Sequence, residues 1–335
     1  MLRLIAALLL SLAGMLVMSP WVIKKLQKLN ANQTIYELGP STHKVKAGTP
    51  TMGGLLIAVI VLMTVIICYP YGGRYGTVII IFLLFSLLNM LIGFTDDYIK
   101  VVKKRNLGLT ARQKICGQVV ISFAFTVFCY YHPAVGSTVL VPIVNIEWDM
   151  GVLYIPVMTM LLIFIVNSAN LQDGVDGILA SVTSVGASAW SIIALICFMR
   201  FTAAGLDGAA SFLPISIIGM ALTGACLGFL RYNYHPAKVI MGDTGSMFIG
   251  SVMAGMGLVL RYPLLLLLIA FTMIMSSVSV IIQRIYYKAT HGKRIFKMSP
   301  LHHHYELSGM NEMQIVAMYT AVTGVLSLVA LFIIL

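Results

Sequence analysis

The chain has 335 residues, 59% of them apolar and 10% charged, with a mean hydropathy of +0.96 and a formal charge of +11 at pH 7. About a quarter of a soluble domain is Asp, Glu, Lys and Arg, so a soluble globular domain is excluded. Apolar runs of about 17–25 residues recur, the length a helix needs to cross a hydrocarbon layer about 30 Å thick. They are continuous, not alternating, which sets aside spanning strands.

The expected fold is all-α: one polytopic transmembrane domain over residues 1–335 with ten helical spans. They lie at roughly 1–23, 51–69, 77–95, 114–131, 152–169, 176–198, 211–229, 244–260, 262–284 and 313–335. The first run resembles a signal peptide, with Arg3 ahead of a leucine-rich stretch. It lacks a small-x-small cleavage site, and its heavier charge (Lys24, Lys25, Lys28) follows the apolar run, so an uncleaved helix is expected. The eighth run, Ser246–Leu260, is short, and Pro263 marks the expected first turn of the ninth helix. Five cysteines sit in or beside apolar runs without paired spacing, and read as packing residues.

Orientation follows from the charges. Of the 22 Lys and Arg residues, all but Arg3, Arg74, Arg200 and Arg261 fall in or beside the loops after spans one, three, five, seven and nine. Basic loops mark the cytoplasmic face, so both termini are expected outside. The positive charge then belongs to one membrane face, where anionic lipid is sufficient partner; nucleic acid is not expected.

The same loops hold the chemically useful residues. His43–Gly54 sets two lysines and two threonines, Thr51 among them, beside glycines. Such residues can grip phosphate through ammonium, hydroxyl and exposed backbone N–H groups, but on this loop alone a basic flank before a Gly-Gly helix start is the preferred reading. Asp96 and Asp97 end the third run, with Lys100 one turn on. Adjacent side chains on a helix diverge by about 100°, so the two acids need not face one ligand, and Lys100 pairs with either. A helix C-terminus disfavours acids, which leaves a purely structural reason for the pair weak.

Asn167–Gly177 places Asn167, Asn170, Asp173 and Asp176 with two glycines between two apolar runs. Polar groups at a membrane boundary mark functional sites, though an interfacial turn uses the same residues. Phe229–Ser246 carries Arg231, Asn233, His235, Lys238 and Asp243, the last flanked by Gly242 and Gly245. Its aspartate is either an N-cap or a carboxylate free for Mg²⁺, which takes carboxylate, water and phosphate oxygens. Lys288–Met313 carries His302, His303 and His304; consecutive histidines suit proton transfer or pyrophosphate binding better than zinc.

Five motifs in order, Thr49–Gly54, Asp96–Lys100, Asn167–Gly177, Met241–Ser246 and Pro300–Glu306, resemble those of the polyprenyl-phosphate N-acetylhexosamine-1-phosphate transferases. The Thr-Pro-Thr-Met-Gly-Gly and Pro-Leu-His-His-His-x-Glu forms resemble the phospho-N-acetylmuramoyl-pentapeptide-transferase branch. Gln172, where that branch has Thr, and Ile240, where it has an aromatic residue, depart from the pattern. The resemblance implies transfer of phospho-MurNAc-pentapeptide from UDP-MurNAc-pentapeptide to undecaprenyl phosphate, giving lipid I and UMP, at the inner face of a bacterial cell membrane. It implies Asp243 as the Mg²⁺ ligand and Asp96 and Asp97 as the acidic pair near the lipid phosphate, with Lys100 offsetting charge. Gly174, Val175, Asp176 and Asn233 would form a uridine pocket with Lys46 nearby. Asn170 and Asp173 would meet the sugar-diphosphate, with His302, His303 and His304 at its border; Thr51 and Gly242 belong to the substrate-binding loops. A homodimer is also implied. The sister activity, GlcNAc-1-phosphate transfer, and a transporter or flippase are the alternatives. The latter would place acids near the midplane of the spans, where this chain has almost none.

Overall fold

The computed structural model describes residues 1–29, 48–69, 76–103, 107–142, 144, 146–205 and 212–335. Among these the chain forms α1 (Leu2–Lys28), α2 (Gly54–Cys68), α3 (Gly76–Val102), α4 (Ala111–Tyr131), α5 (Tyr154–Gln172) and α6 (Ile178–Ala203). It continues with α7 (Phe212–Asn233), α8 (Gly242–Val259), α9 (Leu266–Ile269), α10 (Phe271–Ala289), α11 (Leu301–Glu306) and α12 (Glu312–Ile334). Among the described residues, seven helices are long and apolar enough to cross a membrane, or eight if one bent pair counts as a single span. The fold is that of a polytopic membrane protein.

Each expected span falls on a helix, with one correction. The ninth is not continuous: Pro263–Ile269 and Phe271–Ala289 meet at 84°. Neither Gly nor Pro stands at the break. At Ala270 the backbone turns to φ −102°, ψ 18°, while Leu266 and Ile269 are fully buried. Leu266 packs beside Gly257, next to Trp190, so tertiary packing sets the bend.

A second difference is a short antiparallel hairpin, β1 (Thr138–Val141) with β2 (Ile146–Asp149), between α4 and α5. Its end is closed by Asp149 Oδ1, which accepts from Ser137 Oγ at 2.6 Å and from the Gly151 N–H at 3.0 Å. These donors hold the Asp149 carboxyl below its usual value.

The element that positions the site is α8, in which every residue from Thr244 to Val259 is buried. Small residues make that possible, since helices in lipid associate closely only where side chains are short. A Cβ on Gly54 of α2 would collide with the Gly245 backbone, and one on Gly93 of α3 with the Asp243 carbonyl. The first turn of α8 is thus wedged between α2 and α3. Gly93→Ala is expected to destabilise the protein by about 1–3 kcal/mol through overpacking, read as a lowered midpoint of thermal denaturation. An unchanged midpoint would refute that close fit.

Candidate active site

Two helices, α3 and α8, bring Asp96, Asp97 and Asp243 together, with one oxygen of each within 4.8 Å of the others. On α3 the two neighbouring acids do diverge. Asp96, fully buried, accepts the Leu109 N–H on Oδ1 at 2.7 Å, and the same oxygen is 3.1 Å from Lys114 Nζ. Its Oδ2 lies 2.6 Å from Lys100 Nζ. A Cβ on Gly108 would strike this carboxylate, so the 107–110 loop closes over it.

Asp97 turns the other way, onto the N-terminus of α8. Its Oδ2 accepts the Thr244 N–H at 2.9 Å and the Thr244 hydroxyl at 2.7 Å, while Oδ1 accepts the Asp243 N–H at 3.2 Å. It therefore caps α8 from a neighbouring helix, where the orphan N–H groups and the helix dipole favour a carboxylate. Gly242, at φ +75°, packs against Asp97 and Thr51; a side chain there would meet both.

Asp243, in the first turn of α8, is the acid with an accessible carboxylate, 18% exposed. Its Oδ2 stands 2.5 Å from Lys114 Nζ and 3.3 Å from Lys100 Nζ, and Oδ1 accepts Asn170 Nδ2 at 3.0 Å. Asn170 also donates to Ser246 Oγ at 2.9 Å. All of these partners are side chains, whereas Asp96 and Asp97 are also held by main-chain N–H groups. Three carboxylates face two ammonium groups, which leaves the cluster with one unbalanced negative charge in a buried place. Opposite oxygens on an octahedral Mg²⁺ lie about 4.2 Å apart, so the observed spacing fits such an ion after small movements. A divalent ion placed there would displace an ammonium from Asp243 at least cost, because its carboxylate is the most exposed of the three.

Sequence reasoning missed Lys114, which was visible only as one more basic residue. Its signal is its place: Thr110 and Gln113 form a capping box at the start of α4, and Lys114 follows in the first helical turn. A cation there opposes the helix dipole and needs a partner elsewhere.

The Asn167–Gly177 segment divides its residues. Asn167 bonds Gln118 of α4 at 2.7 Å, and Asn170 joins the acids. Asp173 caps α5, and Gly174 lies so close to His302 and His303 that a Cβ there would clash with the His302 ring. His302 is fully buried and its ring centroid is 4.3 Å from that of His303, whose Nδ1 is 3.1 Å from Glu306. His304 is turned to the preceding loop: its Nδ1 accepts the Lys297 N–H at 3.1 Å and its ring packs on Phe296.

Val175, Asp176 and Asn233 are buried in a second network. Asp176 Oδ2 accepts the Ala237 N–H at 3.1 Å and is 3.2 Å from His235 Nδ1, which is 3.6 Å from Glu312. Glu312 Oε2 accepts the Asp176 N–H at 3.0 Å, and Asn233 Oδ1 accepts that of Gly177 at 3.1 Å. These bonds tie the α5–α6 turn to the ends of α7 and α12. Glu312 gave no sequence signal, because an acid in a first helical turn is explained by the dipole alone. Glu312→Ala, which orphans a buried N–H, is expected to cost about 1–3 kcal/mol; Glu312→Gln keeps an acceptor and should recover most of it in a thermal melt.

Of the two readings of Thr49–Gly54, the structure agrees with the Gly-Gly helix start. The Gly53 and Gly54 N–H groups are not exposed for phosphate; they donate to Ile240 O at 2.9 Å and Met241 O at 3.0 Å. Here the glycines serve the close approach of α2 to α8. Thr51 is buried beside Gly242, and Lys46 lies outside the described residues.

The family model "Glycosyl transferase family 4" matches residues 79–261, and "Phospho-N-acetylmuramoyl-pentapeptide-transferase signature 1" matches residues 46–57. A relative named phospho-N-acetylmuramoyl-pentapeptide-transferase from Bacillus anthracis (strain A0248) is 41% identical over 316 residues, 94% of this chain and 93% of its own length. Relatives of the same name from Bacillus thuringiensis (strain Al Hakam) and Bacillus cereus (strain AH187) match with the same identity and coverage. On these matches, and with three carboxylates and two lysines gathered among its helix ends, the chain belongs to the phospho-N-acetylmuramoyl-pentapeptide-transferase family.

Proposed function

We propose that the protein transfers phospho-MurNAc-pentapeptide from UDP-MurNAc-pentapeptide to undecaprenyl phosphate, forming lipid I and UMP. The observation that carries the reading is the Asp96–Asp97–Asp243 cluster with Lys100 and Lys114, in a chain of this family. The expected setting is one catalytic domain of ten spans in the bacterial inner membrane, as a homodimer, with both termini outside and the site on the cytoplasmic face. The distribution of basic residues supports that orientation.

Asp243 would hold Mg²⁺, which supplies Lewis-acid neutralisation of the donor diphosphate when bound. The acceptor phosphate oxygen attacks the β-phosphorus; the new oxygen–phosphorus bond forms as the bond to the departing UMP oxygen breaks. Lys100 and Lys114 spread positive charge over the oxygens that gain charge. Asp96 orients the acceptor phosphate through those lysines or takes its proton, and Asp97 fixes Asp243 by capping α8. Asp173 and Asn170 approach the sugar-diphosphate beside His302 and His303, with His304 behind them. Gly174, Val175, Asp176 and Asn233 form the uridine side with Lys46, and Thr51 and Gly242 line the turn against Asp97.

Direct attack is favoured over a covalent aspartyl intermediate because Asp97 already accepts three hydrogen bonds, which weakens it as a nucleophile. The test gives purified protein UDP-MurNAc-pentapeptide or UDP-GlcNAc, with undecaprenyl phosphate and Mg²⁺. Lipid I from the first donor alone is expected, lost on chelation and restored by Mg²⁺. Product from UDP-GlcNAc would move the chain to the sister activity. Stoichiometric UMP release without acceptor, leaving sugar phosphate on the protein, would overturn direct attack.

A further inference from the structure

A second basic centre lies outside the acid cluster. The C-terminal half of α10 and the loop after it enclose a cavity of about 400 Å³ lined by Arg284, Tyr287, Lys288, Arg294, Met298 and Ser299. Its wall is built by Gln283, which is 8% exposed. Gln283 Nε2 donates to Phe296 O at 2.9 Å, and its Oε1 accepts the N–H groups of Ile295 at 3.1 Å and Phe296 at 3.0 Å. These bonds fold the loop back so that Arg294 faces the helix that carries Arg284 and Lys288.

Charge balance at this cavity is one-sided. The sequence has no Asp or Glu between Asp243 and Glu306, while residues 284–297 hold five Lys and Arg. Among the described residues, no carboxylate lies within ion-pair distance of the three lining cations. Cations held around one cavity repel each other unless an anion joins them. The tyrosine and serine hydroxyls add donors, and guanidinium suits phosphate through paired N–H bonds.

The surroundings identify which anion. Ile281 and Ile285, 48% and 64% exposed, each sit three residues before a lining cation, hence one turn away on the same side of the helix. Tyr286 and Tyr287 are also exposed, as aromatic residues are at a membrane–water boundary. The cavity falls in the range of roughly 300–1,000 Å³ found for small-molecule sites.

We propose that this cavity binds the phosphodiester headgroup of an anionic phospholipid, with acyl chains against Ile281 and Ile285. Basic pockets between membrane helices bind such headgroups. The site requires no catalysis, so it stands or falls separately from the transferase reading.

The test is native mass spectrometry of the full chain titrated with phosphatidylglycerol or phosphatidylcholine. Wild type should retain the first and not the second. Arg284→Gln with Lys288→Gln should weaken phosphatidylglycerol binding roughly fivefold for each cation removed. Arg294→Gln alone, which leaves the helix untouched, should weaken it roughly fivefold. Lys25→Gln with Lys28→Gln, both on α1, removes as much charge elsewhere and should leave binding unchanged. Equal weakening by that control would show diffuse surface attraction and overturn the proposal. Unchanged binding in the Arg294 variant, or displacement of the lipid by equimolar inorganic phosphate, would overturn it too.

Discussion

Asp243→Asn is expected to keep the fold and lower turnover roughly a thousandfold, the upper end of what one preorganised charge-stabilising group contributes. The substitution preserves shape, and the cap on α8 survives because Asp97 bonds the residue 243 main-chain N–H, not its side chain. What changes is the group facing the lysines. Lys114 and Lys100 lie 2.5 Å and 3.3 Å from Asp243 Oδ2, and an amide offers them either a weaker acceptor or another donor. Both ammonium groups then fall back on Asp96, and the cluster loses its most accessible oxygen. The check is turnover with both substrates across a Mg²⁺ titration, alongside a thermal melt. Activity within a few fold of wild type at every Mg²⁺ concentration would remove Asp243 from the chemistry.

Asp97→Asn separates position from reactivity. Its carboxylate receives three donors at the start of α8, so the variant should lose stability, by about 1–2 kcal/mol for an impaired cap, as well as activity. Asp243→Asn should lose activity alone.

Helices were legible in this sequence because lipid demands long apolar runs, and the turns between them because Gly, Pro, Asp and Asn collect there. What the pattern could not carry was anything set by packing across helices. The bend at Ala270 follows a run of leucines that propensity alone would continue as helix, and the hairpin at 138–149 spans too few residues to signal itself. At the site, Asp96, Asp97 and Asp243 stood out because acids at helix ends in a membrane protein are conspicuous. The division of labour between Asp96 and Asp97 was hidden, since it depends on which neighbouring helix each side chain meets. The glycines of Thr49–Gly54 resembled a phosphate cradle, yet their N–H groups serve the α2–α8 contact. Glu312 was invisible because its local context already excused it.

Lys114→Met carries the second large expectation: kcat falls roughly a hundredfold or more, while the Mg²⁺ concentration for half-maximal activity falls as well. The two readouts distinguish what the ammonium does. It bridges Asp96 Oδ1 at 3.1 Å and Asp243 Oδ2 at 2.5 Å, where a divalent ion would also be drawn. Were Lys114 only a counter-ion for the acids, its loss would tighten metal binding and leave turnover intact. Charge arithmetic argues otherwise. A divalent ion and two lysines against three carboxylates leave one positive charge to face the donor diphosphate and the acceptor phosphate. Without Lys114 that surplus is zero, and the attacking and departing oxygens meet no net attraction in a site partly screened from water. Lys114→Arg restores the charge but as a broad planar fork, and should recover turnover only in part because a guanidinium does not fit two oxygens on separate helices as a compact ammonium does. A Lys114→Met enzyme with unaltered kcat would reduce this residue to a placeholder and leave Lys100 as the one lysine of the cluster acting on the phosphates.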